Sequence, residues 1–245
     1  MLAEPELPTP RYTIDGKGYI SVTQLLKFDP DHHRGIQTWI DDHAAPEDAH
    51  LHTFRRSLIG TTIHWKIQRW FQKRMNMPAD KEIGYSSEDR SISYKDFTED
   101  MKAAIEVIWS YFVEWAEKET DAGNLRPVYI EKKVWHDGYH YAGTADFFGY
   151  YKGDWCIIDW KTAKMIHRSH IYASQLCAYE RAAMNQGITD KKFDKLYIVR
   201  FNEKTSGPDI HPCVRDWGRF KACIDRYQAA KDKQNRGKNG NHSKK

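Results

Sequence analysis

Asp146, Asp159 and Lys161 are the residues of this 245-residue chain whose types and spacing could do chemistry. They lie in GTADFFGYYKGDWCIIDWKTAK, residues 143–164. The stretches 139–151 and 154–161 are rich in aromatic and β-branched residues, as strands are. Lys152-Gly153 between them is a turn candidate, because glycine reaches positive φ without a side-chain clash. A symmetric hairpin about that turn sets Tyr151 opposite Asp154, Asp146 opposite Asp159 and Thr144 opposite Lys161. Directly opposed residues have Cβ atoms roughly 4.5–5.5 Å apart. Alternation puts Asp159 and Lys161 on one face.

Two carboxylates that close repel unless one is protonated or a cation sits between them. Mg²⁺ takes oxygen ligands, completed by water and phosphate oxygens. Such a metal stabilises charge on a phosphate and lowers the pKa of a bound water. Lys161 would orient that water or stabilise the phosphate charge. The set is the minimal equipment for metal-dependent phosphodiester hydrolysis. An Asp and a Lys two apart on a hairpin often form only a solvated face with a weak ion pair. The second Asp opposite, the apolar flank Cys156, Ile157 and Ile158, and the following Thr162 favour the chemical reading. A bulge would break the pairing.

The elements that must position these residues follow from periodicity. RYTIDGKGYISVT reads as two short strands around Asp15-Gly16, and Ser21 opens a short helix through about Phe28. Residues 34–43 look helical, with a polar loop near Pro46. Residues 51–77 have helical periodicity interrupted at Gly60-Thr61-Thr62. Residues 78–95 read as a surface loop or flap. Residues 96–120 form an amphipathic helix through Ile105, Ile108, Phe112, Val113 and Trp115. Strands at about 127–135, 139–151 and 154–161 precede a helix at 169–186, a strand at 194–201 and a helix at 215–231. The β-β-β-α-β order predicts an α/β fold, a mixed central sheet flanked by helices. One domain over 1–231 is expected, helical over about 20–120 with the core at about 127–230. The basic residues 232–245 read as a disordered tail that either attracts nucleic acid or simply solubilises.

The formal charge of +4 is compatible with a polyanionic partner. No apolar run approaches the ~20 residues that span a bilayer. MLAEPELPTP lacks a basic segment followed by an apolar one, so no secretory signal is expected. The four cysteines, Cys156, Cys177, Cys213 and Cys223, form no C-x-x-C pair. They read as reduced, mostly buried thiols of a cytoplasmic-type compartment, with zinc and iron–sulfur sites not expected.

Further motifs accompany the hairpin: G-T-x-D at Gly143–Asp146, D-W-K-T at Asp159–Thr162, Q-x-x-x-Y at Gln175–Tyr179, Gly60-Thr61-Thr62-Ile63-His64, and Ile20-Ser21-Val22-Thr23. With these the sequence resembles the PD-(D/E)XK nuclease superfamily, in particular its RecB-like exonuclease branch, over residues 20 to 180. The resemblance implies a restriction-endonuclease-like core with a helical N-terminal elaboration. It implies that Asp146, Asp159 and the Trp160 backbone carbonyl ligate Mg²⁺ or Mn²⁺, with His64 a further ligand and Glu131 a ligand or its support. Lys161 would position the water. Gln175 and Tyr179 would contact the active-site strand or the DNA, and Ser21, Thr23 and Thr162 the DNA. Ala145 stands where many members carry proline, and no cysteine precedes Cys156, so no iron–sulfur cluster is implied.

Blander readings stand beside these. A lone His on an amphipathic helix is more often a surface or core residue, and Glu131-Lys132-Lys133 could be an exposed strand end. Gln175 and Tyr179 could pack a helix on the sheet, with the Tyr179 hydroxyl capped by a backbone group. Ser21 could be a helix N-cap. Trp65, Trp109, Tyr111 and Trp115 could stack unpaired bases or fill the core. The loop at 78–95 and the next helix could arch over single-stranded DNA, by analogy. The resemblance implies an exonuclease acting on DNA in recombination, repair or phage genome processing, in a bacterial or phage-infected cell, with a possible recombination partner protein. A site-specific endonuclease and a catalytically inert DNA-binding module are the alternatives.

Overall fold

A computed structural model describes residues 6–32, 46–79, 97–163 and 169–242. The helix expected at 34–43 and nearly all of the 78–95 loop, with its arch, lie outside the described residues. The N-terminal hairpin pairs β1 (Tyr12–Ile14) with β2 (Lys17–Ser21), and positive φ at Asp15 and Gly16 makes its turn. Ser21 then caps α1 (Val22–Leu26): its hydroxyl accepts from the Gln24 N–H while Gln24 reaches back to the Ser21 N–H. Next come α2 (Pro46–Met75), α3 (Glu99–Asp121), β3 (Leu125–His136), β4 (Tyr141–Tyr151) and β5 (Asp154–Lys161). The chain closes with α4 (Ser169–Asn185), β6 (Lys195–Arg200), β7 (Asp209–Pro212) and α5 (Trp217–His242).

Three boundaries differ from expectation. Helix α2 begins at Pro46, where a loop was expected, and runs unbroken through Gly60-Thr61-Thr62. Gly60 serves close approach rather than a break: a Cβ there would lie 3.3 Å from Thr162 Oγ1 beyond the end of β5. Helix α5 continues past residue 231 to His242, over residues expected to be a disordered tail. Strand β7 was not anticipated, being four residues long with little apolar patterning.

The seven strands form one mixed sheet, ordered β1-β2-β4-β5-β6-β7, with β3 also paired to β4. Helices α2 and α3 bury Ile63, Phe71, Ile105 and Phe112 against Phe147, Ile158, Trp160 and Val199 on one face. Helices α1, α4 and α5 bury Leu25, Leu176, Ala182 and Phe220 against Phe148, Ile157, Leu196 and Ile198 on the other. Strands β4 and β5 are therefore covered on both faces and apolar nearly throughout, as central strands must be. Trp115 is in the α2–α3 core, and Trp109 stacks on Phe112 at 5.3 Å. Tyr111 packs against the same core, and Trp65 is half-buried with Arg69 over its ring.

The cysteines are free thiols, three of them buried. Among the described residues no helix is long and apolar enough to cross a membrane.

Candidate active site

The β4–β5 hairpin obeys the predicted register at its turn. Lys152 and Gly153 both have positive φ, the conformation that matches strand twist in a two-residue loop. Tyr151 faces Asp154, and the ladder continues to Phe147 facing Ile158. There it ends. One step further, where Asp146 was expected opposite Asp159, the strands part, so Thr144 does not pair with Lys161. Thr144 instead meets the Tyr12 hydroxyl at 3.1 Å.

The same edge of β4 is taken up again by β2, which pairs in parallel with Tyr141 and Ala142. Residues 143–146 thus have no ladder partner on that edge among the described strands. A cleft of about 360 Å³ opens at this gap, lined by Arg11, Ser21, Thr23, His64, Glu131 and Asp146 among others.

The pleat explains how a carboxylate reaches the gap. Phe147 and Tyr151 face the α2–α3 core, yet Tyr141 and Ala145 face the opposite core. Residues an even number apart should share a face, so the alternation slips at Asp146. The neighbouring strand slips with it: Ile130 faces α2–α3 and Val134 the other core. Between them Glu131 sits at φ 44°, a left-handed conformation that strains a non-glycine residue by roughly 1–2 kcal/mol. Asp146 therefore lies in the plane of the sheet. Its Oδ2 accepts the Trp160 N–H at 2.8 Å, taking the place of a ladder carbonyl.

Trp160 is held for this by its side chain, which is buried among Phe112, Trp115, Phe147 and Phe201. Its carbonyl faces His64 Nε2 at 3.1 Å. A donor Nε2–H leaves Nδ1 with its lone pair, and Nδ1 lies 3.6 Å from Asp146 Oδ2. Arg56, two turns earlier on α2, donates to the Thr162 carbonyl and pairs with Glu203 at 2.9 Å, tying α2 to the strand end.

Ligand atoms of His64, Glu131 and Asp146 all fall within 4.8 Å of one another. One imidazole and two carboxylates suit a divalent cation that accepts oxygen and nitrogen donors. Asp159 is held differently. It is 2 % exposed, and its Oδ2 lies 2.5 Å from Lys161 Nζ on the α4 face. Burial pushes the Asp146 carboxyl up to about 6, opposed by His64 and reinforced by the Asp159 charge. Burial also works to lower the Lys161 pKa, but Asp159 and Asp146 outweigh it, so the ammonium is held above the usual lysine value.

Helix α4 closes the other side. Gln175 Nε2 donates to the Tyr179 hydroxyl at 2.9 Å, so a side chain, not a backbone group, caps that hydroxyl. The Tyr179 ring rests on Gly143, where a Cβ would come within 2.4 Å of it. Burial pushes the Tyr179 pKa well above the usual tyrosine value. Ser21 combines its capping role with a place in the cleft wall, where its hydroxyl lies 3.1 Å from that of Thr23. Arg11, Tyr12 and Tyr172 were not anticipated. Tyr172 could have been found, since 172, 175 and 179 repeat at i, i+3 and i+7 on one helix face. Arg11 and Tyr12 carried no signal beyond their nearness to Ser21.

A search of curated proteins finds no match to this chain. The sequence model of one family matches residues 34–236, most of the chain and all of the elements that build the cleft apart from β1, β2 and α1. With three carboxylates, a histidine and a lysine gathered where the sheet parts, the chain belongs to the PD-(D/E)XK nuclease superfamily.

Proposed function

We propose that this nuclease is a Mg²⁺- or Mn²⁺-dependent DNA exonuclease of the RecB-like branch. The observation that carries the metal-dependent reading is the approach of His64, Glu131 and Asp146 ligand atoms to within 4.8 Å, beside the Asp159–Lys161 pair. His64, Glu131 and Asp146 would hold the cation, and the resemblance adds the Trp160 carbonyl and Asp159 as further ligands, although Asp159 stands outside that cluster and is paired with Lys161. When bound, the cation supplies positive charge to the scissile phosphate and acidifies a water.

The chain's own groups do the rest. Lys161, charged and anchored on Asp159, orients the attacking water and stabilises the phosphate charge. Asp159 fixes that ammonium. The Ser21 and Thr23 hydroxyls, with Thr162, meet the DNA backbone, and Gln175 and Tyr179 keep α4 against the active strand. Q-x-x-x-Y and S-V-T support the exonuclease reading, as well as work in recombination, repair or phage genome processing in the cytoplasm of a bacterial or phage-infected cell.

The test is cleavage of linear single-stranded, linear duplex and closed circular DNA, labelled at either end, in Mg²⁺, Mn²⁺ or EDTA. Metal-dependent loss of linear DNA only, absent in Lys161→Ala, is expected, and the labels give polarity. Cutting of circles would make the protein an endonuclease. Binding without cutting would make it an inert module.

A further inference from the structure

We propose that Tyr172 is a positioning residue for Lys161, an assignment that rests on the nuclease reading of that lysine. The Lys161 ammonium lies 4.7 Å from the centroid of the Tyr172 ring and 2.5 Å from Asp159 Oδ2. A lysine side chain has four rotatable carbons, so one contact at its tip leaves the nitrogen free to swing. Two contacts of different chemistry fix it. The carboxylate pairs with the ammonium as an ion pair, and the ring offers its electron-rich face to the charge without claiming the N–H groups in linear hydrogen bonds. Those donors stay available for water and phosphate. The contact is partly desolvated, with the Lys161 side chain 19 % exposed, which strengthens it relative to a surface pair.

The placement follows from α4. Tyr172 stands about one turn before Gln175 and two before Tyr179, so one helix face carries all three. Gln175 donates to the Tyr179 hydroxyl and the Tyr179 ring packs on Gly143, which fixes that face against the sheet. Tyr172 is then held over the end of β5, where Lys161 emerges. We assign this role to the aromatic face, which the ammonium overlies, and not to the hydroxyl.

Tyr172→Phe, Tyr172→Leu and Tyr172→Met, made in the full chain, test this with two readouts. In cleavage of end-labelled linear DNA, Leu and Met should lower kcat about tenfold. KM should stay within about twofold, and Phe should retain most of the wild-type rate. Independently of cleavage, reductive ¹³C-methylation of the lysines gives a Lys161 signal, identified by its loss in Lys161→Ala. It should be shifted upfield by the ring in wild type and Phe, and return to the bulk position in Leu and Met. Thermal melting identifies any variant that has merely unfolded, and the ring-free variant that stays folded decides. An unshifted Lys161 signal in wild type overturns the proposal, as does a Phe variant that falls as far as Leu, or a loss carried by KM. A wild type that cuts nothing but shows the shift would refute the nuclease reading while leaving the Tyr172–Lys161 contact standing.

Discussion

Glu180 and Asp146 are both buried carboxylates, and they are treated in opposite ways. Glu180, on α4, is saturated: the Phe193 N–H donates to Oε1 at 3.0 Å, and Arg215 donates from Nε to Oε2 at 3.0 Å and from Nη2 to Oε1 at 2.9 Å. Its charge is neutralised and its lone pairs largely used. Asp146 receives one backbone N–H and faces His64, Glu131 and a second acid across the gap. Burial without enough donors leaves its carboxyl titrating near 6. A carboxylate satisfied by the protein is architecture, and one left short of positive charge is equipped to take it from elsewhere.

That contrast can be broken most forcefully by exchanging the two effects. Asp146→Asn should lower cleavage by ~10³-fold or more, as should Lys161→Ala, while Glu180→Gln leaves the specific activity of the folded protein nearly unchanged. Steady-state rates on linear DNA decide it. Stability should respond in the reverse sense. Glu180→Gln strands the Arg215 charge and should cost about 2–4 kcal/mol in urea unfolding, discounted because Arg215 is about a third exposed.

Asp146→Asn should instead stabilise the protein in EDTA at pH 7–8, by on the order of 2 kcal/mol. The sign follows from the direction of the shift. The folded carboxyl holds its proton up to about 6, against 3.8 for the free group, so the native state binds the proton more tightly than the unfolded one. Wild-type stability therefore falls as pH rises from about 4 to 6, and the gain from Asn is full above that window and absent below it. An Asn variant no more stable than wild type at pH 8 would show that Asp146 is as well satisfied as Glu180. The smallest effect belongs to neither carboxylate: removing 232–245 should weaken DNA binding at low salt and little at high salt. Equal weakening at both would mean that this segment does not act through charge.

Legibility in the sequence divides along the same line. The mixed sheet, the hairpin turn at Lys152-Gly153 and the Asp159–Lys161 face follow from period-2 alternation and turn chemistry, and the structure agrees with them. What sequence could not supply lies where the backbone leaves regular geometry. The end of the β4–β5 ladder before Asp146 depends on where β2 joins β4, a contact between residues over a hundred apart. The left-handed Glu131 has no turn-forming signature, so the gathering of His64, Glu131 and Asp146 was accessible only through resemblance. Gly60 was misread because its reason is a neighbour, Thr162, and not its own helix.

The shared slip at Glu131 and Asp146 has a use beyond this molecule. A single strand out of phase would expose half its apolar residues, so two adjacent strands must change phase at the same rung to keep both cores filled. Such a paired dislocation leaves a trace in hydrophobic patterning, a parity change at facing positions of consecutive strands. It marks the rung at which a side chain must lie in the sheet rather than above or below it, and so singles out a candidate site carboxylate without reference to any motif.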